Sequence, residues 1–222
     1  MKTKKNAKNV NDEALADDSP KMTRVRARTL NKLMQAAMTM LESGNIPSIT
    51  ELANEAGVSR ATAYRYFPTQ SSLISAIVGD VLAPMRAWKP EETSVAERLD
   101  SLLSFAYPQL EKHEGALRAA LRISLEQWAA RRSGSEDVSG ELPLVRGNRK
   151  QLLEMVAHPL KERMSAAEWN RMNHAFSLIY GSEVFLVLKD IWGLESQQIL
   201  DVVRWMGKAI VRQSEEEAGL TY

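Results

Sequence analysis

Cysteine is absent from the 222-residue chain, which excludes disulfides, thiol nucleophiles and thiolate metal sites and suits a reducing compartment. Long apolar runs are missing too, and none approaches the eighteen or so residues that mark a membrane span. The N-terminal stretch MKTKKNAKNVNDEALADDSP is basic in part but lacks the apolar segment of a secretory leader. The eleven glycines are scattered rather than gathered into a phosphate-binding loop. His113, His158 and His174 stand at unrelated spacings, with no HExxH pattern and no ligand pair one helical turn apart. No segment alternates apolar and polar residues as a strand does. These absences predict a cytoplasmic protein that is not an enzyme, holds no cofactor or metal, and has no membrane partner.

What is present is charge, evenly balanced in sum and unevenly placed. The net charge is +1, too small for indiscriminate coating of nucleic acid. Residues 1–88 carry twelve Lys and Arg against eight Asp and Glu, whereas residues 89–222 carry seventeen against twenty. The positive excess therefore lies at the N-terminal side, a weak electrostatic footprint of nucleic-acid binding.

Residues 1–22, rich in Lys, Asn and Asp, have too little apolar surface to offset ordering entropy and are expected to form a flexible tail. Leu30, Leu33, Ala37, Met40 and Leu41 then recur at helical spacing up to Gly44, which predicts a helix over 24–43. Ser48 precedes Glu51 by three residues, a capping-box signal that opens a short helix over 49–56. Gly57 permits a left-handed turn, and Ser59 can cap a third helix over 60–67. Two short helices joined through such a turn are a helix-turn-helix. Pro68 ends it, a further helix runs from Ser71 to Leu82, and Pro84 is expected to kink or end that one.

On the third helix Ala63 and Phe67 point together, while Ala61, Thr62, Tyr64 and Arg65 fan across the other face. Arg60 and Arg65 can donate to guanine or phosphate, and Thr62 can touch a thymine methyl or a base edge. Ala61 lets the backbone come close. Tyr64 and Tyr66 suit phosphate hydrogen bonds, as do Ser48 and Ser59 at helix N-termini.

The stretches LMQAAMTMLESG, ITELANEAGVSRATAYRYF and PTQSSL, within residues 33–73, resemble the tetracycline-repressor-like (TetR) family of transcription regulators. Gly57, Val58, Ser59, Thr62, Tyr64, Phe67 and Leu73 fall at the family's positions. Gln70 stands where the family usually carries Lys, so a phosphate clamp there lacks its charge. The resemblance implies an all-α fold with a DNA-binding unit over 23–70 and a unit over 71–222 for dimerisation and for a small-molecule effector.

The remaining sequence shows only helical periods, for about nine helices in all. The expected architecture is an N-terminal three-helix unit with a helix-turn-helix and a larger C-terminal bundle. Leu117, Leu121, Leu125 and Trp128 make one stripe, followed by a polar loop over 133–140. A helix over 144–164 is disturbed by His158-Pro159. Arg146, Arg149 and Lys150 read as a solvated basic face. Two apolar helices over 166–191 and 195–213 are expected to build a homodimer interface from Phe176, Ile179, Val184, Leu188, Val203, Met206 and Ile210. Phe105, Trp128, Met155, Phe176 and Tyr180 suit an effector pocket. The implied function is a homodimeric regulator, a repressor as most often in the family, that binds a palindromic double-stranded DNA operator and is released by an effector. The alternative is a helical protein-interaction scaffold that does not bind DNA.

Overall fold

The computed structural model describes residues 20–134 and 149–220. The segment expected to be a polar loop after Ser133 and the basic residue Arg146 fall largely or wholly outside them, as does nearly all of the expected tail. Among the described residues there are eleven helices and no strand. They are α1 (Pro20–Glu42), α2 (Ile49–Glu55), α3 (Arg60–Tyr66), α4 (Gln70–Val81), α5 (Ala83–Ala87), α6 (Val95–Lys112), α7 (Glu114–Ser133), α8 (Arg149–Ala157), α9 (Ala166–Ile179), α10 (Glu183–Leu188) and α11 (Ser196–Glu217). Nine of them have seven residues or more. None is long and apolar enough to cross a membrane, and no group of acidic and histidine side chains among the described residues is placed to hold a metal.

The start signals act as expected. Ser48 and Glu51 close a capping box, the Glu51 N–H donating to the serine hydroxyl at 3.2 Å and the Ser48 N–H to the carboxylate at 2.8 Å. These bonds from Ser48 hold the Glu51 carboxyl below the usual carboxylate range. Gly44 and Gly57 adopt φ of +84° and +63°, where a side chain would be strained. Pro84 falls in the first turn of α5, where a missing N–H costs nothing, and α4 ends just before it.

Three elements differ from expectation. Helix α1 begins at Pro20, so the first residues of the helix replace the last of the tail. The expected helix over 166–191 is two, α9 and α10, separated at Tyr180–Ser182. Gly181 sits in that break at φ +142°, and a Cβ there would overlap the Arg149 guanidinium and the Glu183 carboxylate, which pair at 2.6 Å across it. Beyond Ala157, the His158-Pro159 step turns α8 into a 3-10 helix that runs to Arg163.

A further difference concerns α7. Its inward face is Ala116, Leu117, Ala119, Ala120, Ile123, Ser124 and Gln127; of the expected stripe Leu117 is buried and Leu121 half-buried, while Leu125 and Trp128 are 59% and 58% exposed. Small residues let α7 lie close to both α1 and α4. At one end the Gly115 N–H donates to the Glu42 carboxylate at 3.3 Å. At the other, Gln127 Nε2 donates to the buried Ser71 hydroxyl at 3.1 Å. Helix α7 therefore touches the ends of two helices that frame the helix-turn-helix. Along the bundle, two hydrogen bonds donated by the Arg204 guanidinium to Asp100, 2.6 Å to each oxygen, join α11 to α6 and hold the aspartate carboxyl below its usual range.

The α1–α7 joint generates a stability test. An added Cβ on Gly115 would overlap the Leu41 carbonyl and come within 2.9 Å of Glu42 Cα, whereas one on Gly79 meets nothing within 4 Å. Gly115→Ala should therefore destabilise by about 1–3 kcal/mol through forced separation of two backbones. Gly79→Ala, in mid-helix, should stabilise by about 0.5–1 kcal/mol. Denaturant midpoints of the two variants check the sign of each.

Candidate nucleic-acid interface

Helix α3 presents the face expected of it. Ala63 is fully buried and Phe67 is 4% exposed, whereas Arg60, Ala61, Tyr64 and Arg65 lie in solvent, Tyr64 at 48%. The helix is capped by the Ser59 hydroxyl, which accepts from the Thr62 N–H at 3.1 Å. The same hydroxyl lies 2.8 Å from Thr62 Oγ1. Ser59 and Thr62 are thus joined to each other, and Thr62 is half-buried. Basic and hydroxyl groups line this face, and no acidic residue stands in the first turn of α3.

Three of the expected contact residues have partners inside the protein. The Ser48 hydroxyl donates to Glu51 Oε2 at 2.8 Å as well as accepting the Glu51 N–H. A carboxylate at the start of α2 repels a phosphate, so Ser48 serves the cap. The Tyr66 hydroxyl donates to the Arg26 carbonyl of α1 at 3.1 Å, with the Arg65 guanidinium 5.9 Å from the centre of its ring. Gln70, at the start of α4, is part-buried, and its amide donates to the Pro47 carbonyl at 2.9 Å. That bond ties α4 to the α1–α2 connection across 23 residues. The side chain also explains how a neutral residue is accommodated at that position: its donor has an internal acceptor.

The C-terminal residues singled out in the sequence fall into two groups. Phe176, Ile179, Tyr180 and Val203 are buried within the single chain, with Val184, Leu188 and Ile210 partly so. Of the expected dimer residues only Met206 is exposed, at 36%. Other large apolar side chains between α9 and α11 also face solvent, among them Leu178, Val187, Ile191, Trp192 and Trp205, of which Leu178, Ile191, Trp192 and Trp205 are 71–79% exposed. Most of the residues expected at a dimer interface therefore belong to the core of the single chain, while other apolar side chains of the same helices face out.

The five residues expected to line an effector pocket do not converge. Phe105 and Trp128 are exposed, Trp128 with the Arg132 guanidinium 6.0 Å from its ring centre. Met155 borders a shallow cleft with Gln151, Glu154, His158, Lys161 and Trp169. Phe176 and Tyr180 are interior, near Tyr107, whose hydroxyl donates to the Ile179 carbonyl at 2.7 Å and whose ring meets Phe185 edge-on at 5.8 Å. Burial pushes the Tyr180 hydroxyl up to about 12, so it stays a neutral phenol. Arg149, expected to be solvated, pairs with Glu183.

The Gln70 contact can be tested without DNA. Gln70→Ala removes a part-buried bond between distant segments and should lower the unfolding free energy by about 0.5–1.5 kcal/mol. A side chain reserved for phosphate would leave the stability of the free protein unchanged.

Comparisons with known proteins agree with this geometry. A family model described as the helix-turn-helix domain of resolvase matches residues 26–70, which span most of α1 and all of α2 and α3. No curated protein matches the sequence. Among solved structures, a TetR transcriptional regulator from Rhodococcus sp. RHA1 is 19% identical over 85% of this chain and 96% of its own, with a TM-score of 0.52. A tetR-family transcriptional regulator from Streptomyces coelicolor is 20% identical over 87% of this chain and 86% of its own, with a TM-score of 0.56. The chain therefore has the all-helical fold of TetR-family transcriptional regulators, with a helix-turn-helix near its N-terminus.

Proposed function

We propose that the protein is a homodimeric DNA-binding transcription regulator, acting as a repressor, that reads a palindromic operator through α3 and releases it when a small molecule binds the C-terminal bundle. The observation that carries the reading is the two-sided character of α3. One side, Ala63 and Phe67, is locked into the core, and the other offers Arg60, Ala61, Tyr64 and Arg65 to solvent on a capped helix. A helix held so by its back suits insertion into a major groove, with guanidinium and hydroxyl groups for base edges and phosphates. The matches to regulators of the same fold support it. A protein-interaction scaffold would have little use for a basic, narrow, rigidly capped reading face.

Dimerisation is supported by the outward sides of α9 and α11. Trp205, Met206 and Ala209 share one face of α11, and Leu178 lies on α9, which packs beside it. Exposed apolar side chains grouped on neighbouring helix faces, unlike scattered single ones, mark an interaction surface. Two copies of each helix meeting about a two-fold axis would cover them as a four-helix bundle. The effector is assigned to the interior around Phe176 and Tyr180, where aromatic rings meet a neutral phenol beside the α9–α10 break. Its signal would pass through α4, which begins beside the helix-turn-helix and is bonded through Ser71 to α7.

One set of variants tests the reading. Arg65→Ala and Tyr64→Phe should each weaken DNA binding, Arg65→Ala by about 1–3 kcal/mol if it reaches a base, with the fold intact by circular dichroism. Trp205→Asp should yield monomers in light scattering and weaken DNA binding with them. Equal binding of parent and both α3 variants in a gel-shift titration would remove α3 as the reading element, and a Trp205→Asp dimer would remove the interface.

A further inference from the structure

Helix α1 is longer than its packing requires. Its first buried residue is Leu33, and from Arg24 to Lys32 only Thr29 is even half-buried. About thirteen residues of helix, near 20 Å, thus precede the core contact that holds the rest of α1. This projecting part is basic throughout. Lys21, Arg24, Arg26, Arg28 and Lys32 lie between Pro20 and Leu41, and the first acidic residue of the helix is Glu42. Arg24, Arg28 and Lys32 recur every fourth residue, so they fall within one arc of about 80° and climb in steps of about 6 Å. All three are exposed, and none pairs with a carboxylate among the described residues. Three like charges at successive i, i+4 positions repel one another.

The segment is also placed by a bond to the reading helix. The Tyr66 hydroxyl donates to the Arg26 carbonyl, and the Arg65 guanidinium lies against the Tyr66 ring. The projecting turns of α1 therefore lie beside the exposed end of α3. The partner that relieves an unpaired basic ladder of this spacing is a polyanion with closely repeated charge. Duplex DNA carries one phosphate per 3.4 Å along each strand, so residues about 6 Å apart meet separate phosphates.

We infer that the projecting turns of α1 are a phosphate clamp: Arg24, Arg28 and Lys32 grip the DNA backbone flanking the bases read by α3. The inference rests on the proposed DNA reading of α3 and extends it to residues outside the helix-turn-helix. The clamp adds affinity and lengthens the protected site without adding base preference, because it contacts backbone alone.

The test uses the full chain and the triple variant Arg24→Gln/Arg28→Gln/Lys32→Gln, which keeps helix propensity. The probe is a duplex recovered by selection with the parent protein, measured across a salt series, with and without ten flanking base pairs on each side. The triple variant should lose up to about 2.7 in the slope of log affinity against log salt per subunit, at about 0.9 per phosphate contact. It should also show a shorter hydroxyl-radical footprint at both ends, unchanged base preference, and indifference to trimming of the flanks that weakens the parent. If slope and footprint match the parent while Arg65→Ala still binds poorly, the clamp is wrong and the α3 reading stands. A parent that selects no duplex overturns both. Parent binding to vesicles of 30% phosphatidylserine that the triple variant loses, with an unchanged DNA slope, would assign the ladder to a membrane surface and overturn the clamp.

Discussion

A seven-residue helix does not hold itself together in water, since nucleation costs more than two turns of hydrogen bonds return. Helix α3 has seven residues, so everything it presents depends on what grips it. Ala63 and Phe67 are that grip, buried among the surrounding helices. The Ser59 cap fixes one end, and the Tyr66 bond to the Arg26 carbonyl fixes the other. The exposed side chains inherit their positions from these internal bonds. Tyr66 and Gln70 illustrate the same economy, because residues beside the reading face spend their donors on holding it.

The same constraint passes beyond the helix-turn-helix. Helix α4 has six buried residues, Ser71 among them, and lies against α7 over much of its length. Helix α7 in turn meets the end of α1 through Gly115 and Glu42. The frame around α3 is therefore continuous with the C-terminal bundle, and a shift of α7 moves both supports together. Rigid joints of this kind, close-packed and without room for a methyl at Gly115, transmit displacement better than they absorb it.

What was legible in the sequence was local. Ser48 with Glu51, Gly44, Gly57 and Ser59 act within one turn of themselves, and the structure places each as its spacing suggests. Contacts between distant segments were hidden. Gln70 finds its acceptor 23 residues away, and Gly181 is required by a guanidinium from α8 that no local pattern announces. The inward face of α7 was legible only in part: Leu117 turns in, but the small residues Ala116, Ala119 and Ala120 carry less signal than Leu125 and Trp128, which face out. On α9 and α11 the period was right and the side ambiguous, since Phe176 and Val203 turn in while Leu178 and Trp205 turn out. The basic ladder of α1 was readable as an acid-free stretch, but only its lack of packing makes it distinctive.

The central claim is that two copies of α3 read one duplex symmetrically. Selection from a random duplex pool with the full-length protein, followed by footprinting of the enriched sequence, measures it most directly. The account predicts a near-palindrome whose half-sites lie on one face of the duplex, about 34–36 Å or a small multiple apart, with protection centred on the two-fold. Enrichment of a single asymmetric site, or no enrichment above the starting pool, would contradict it.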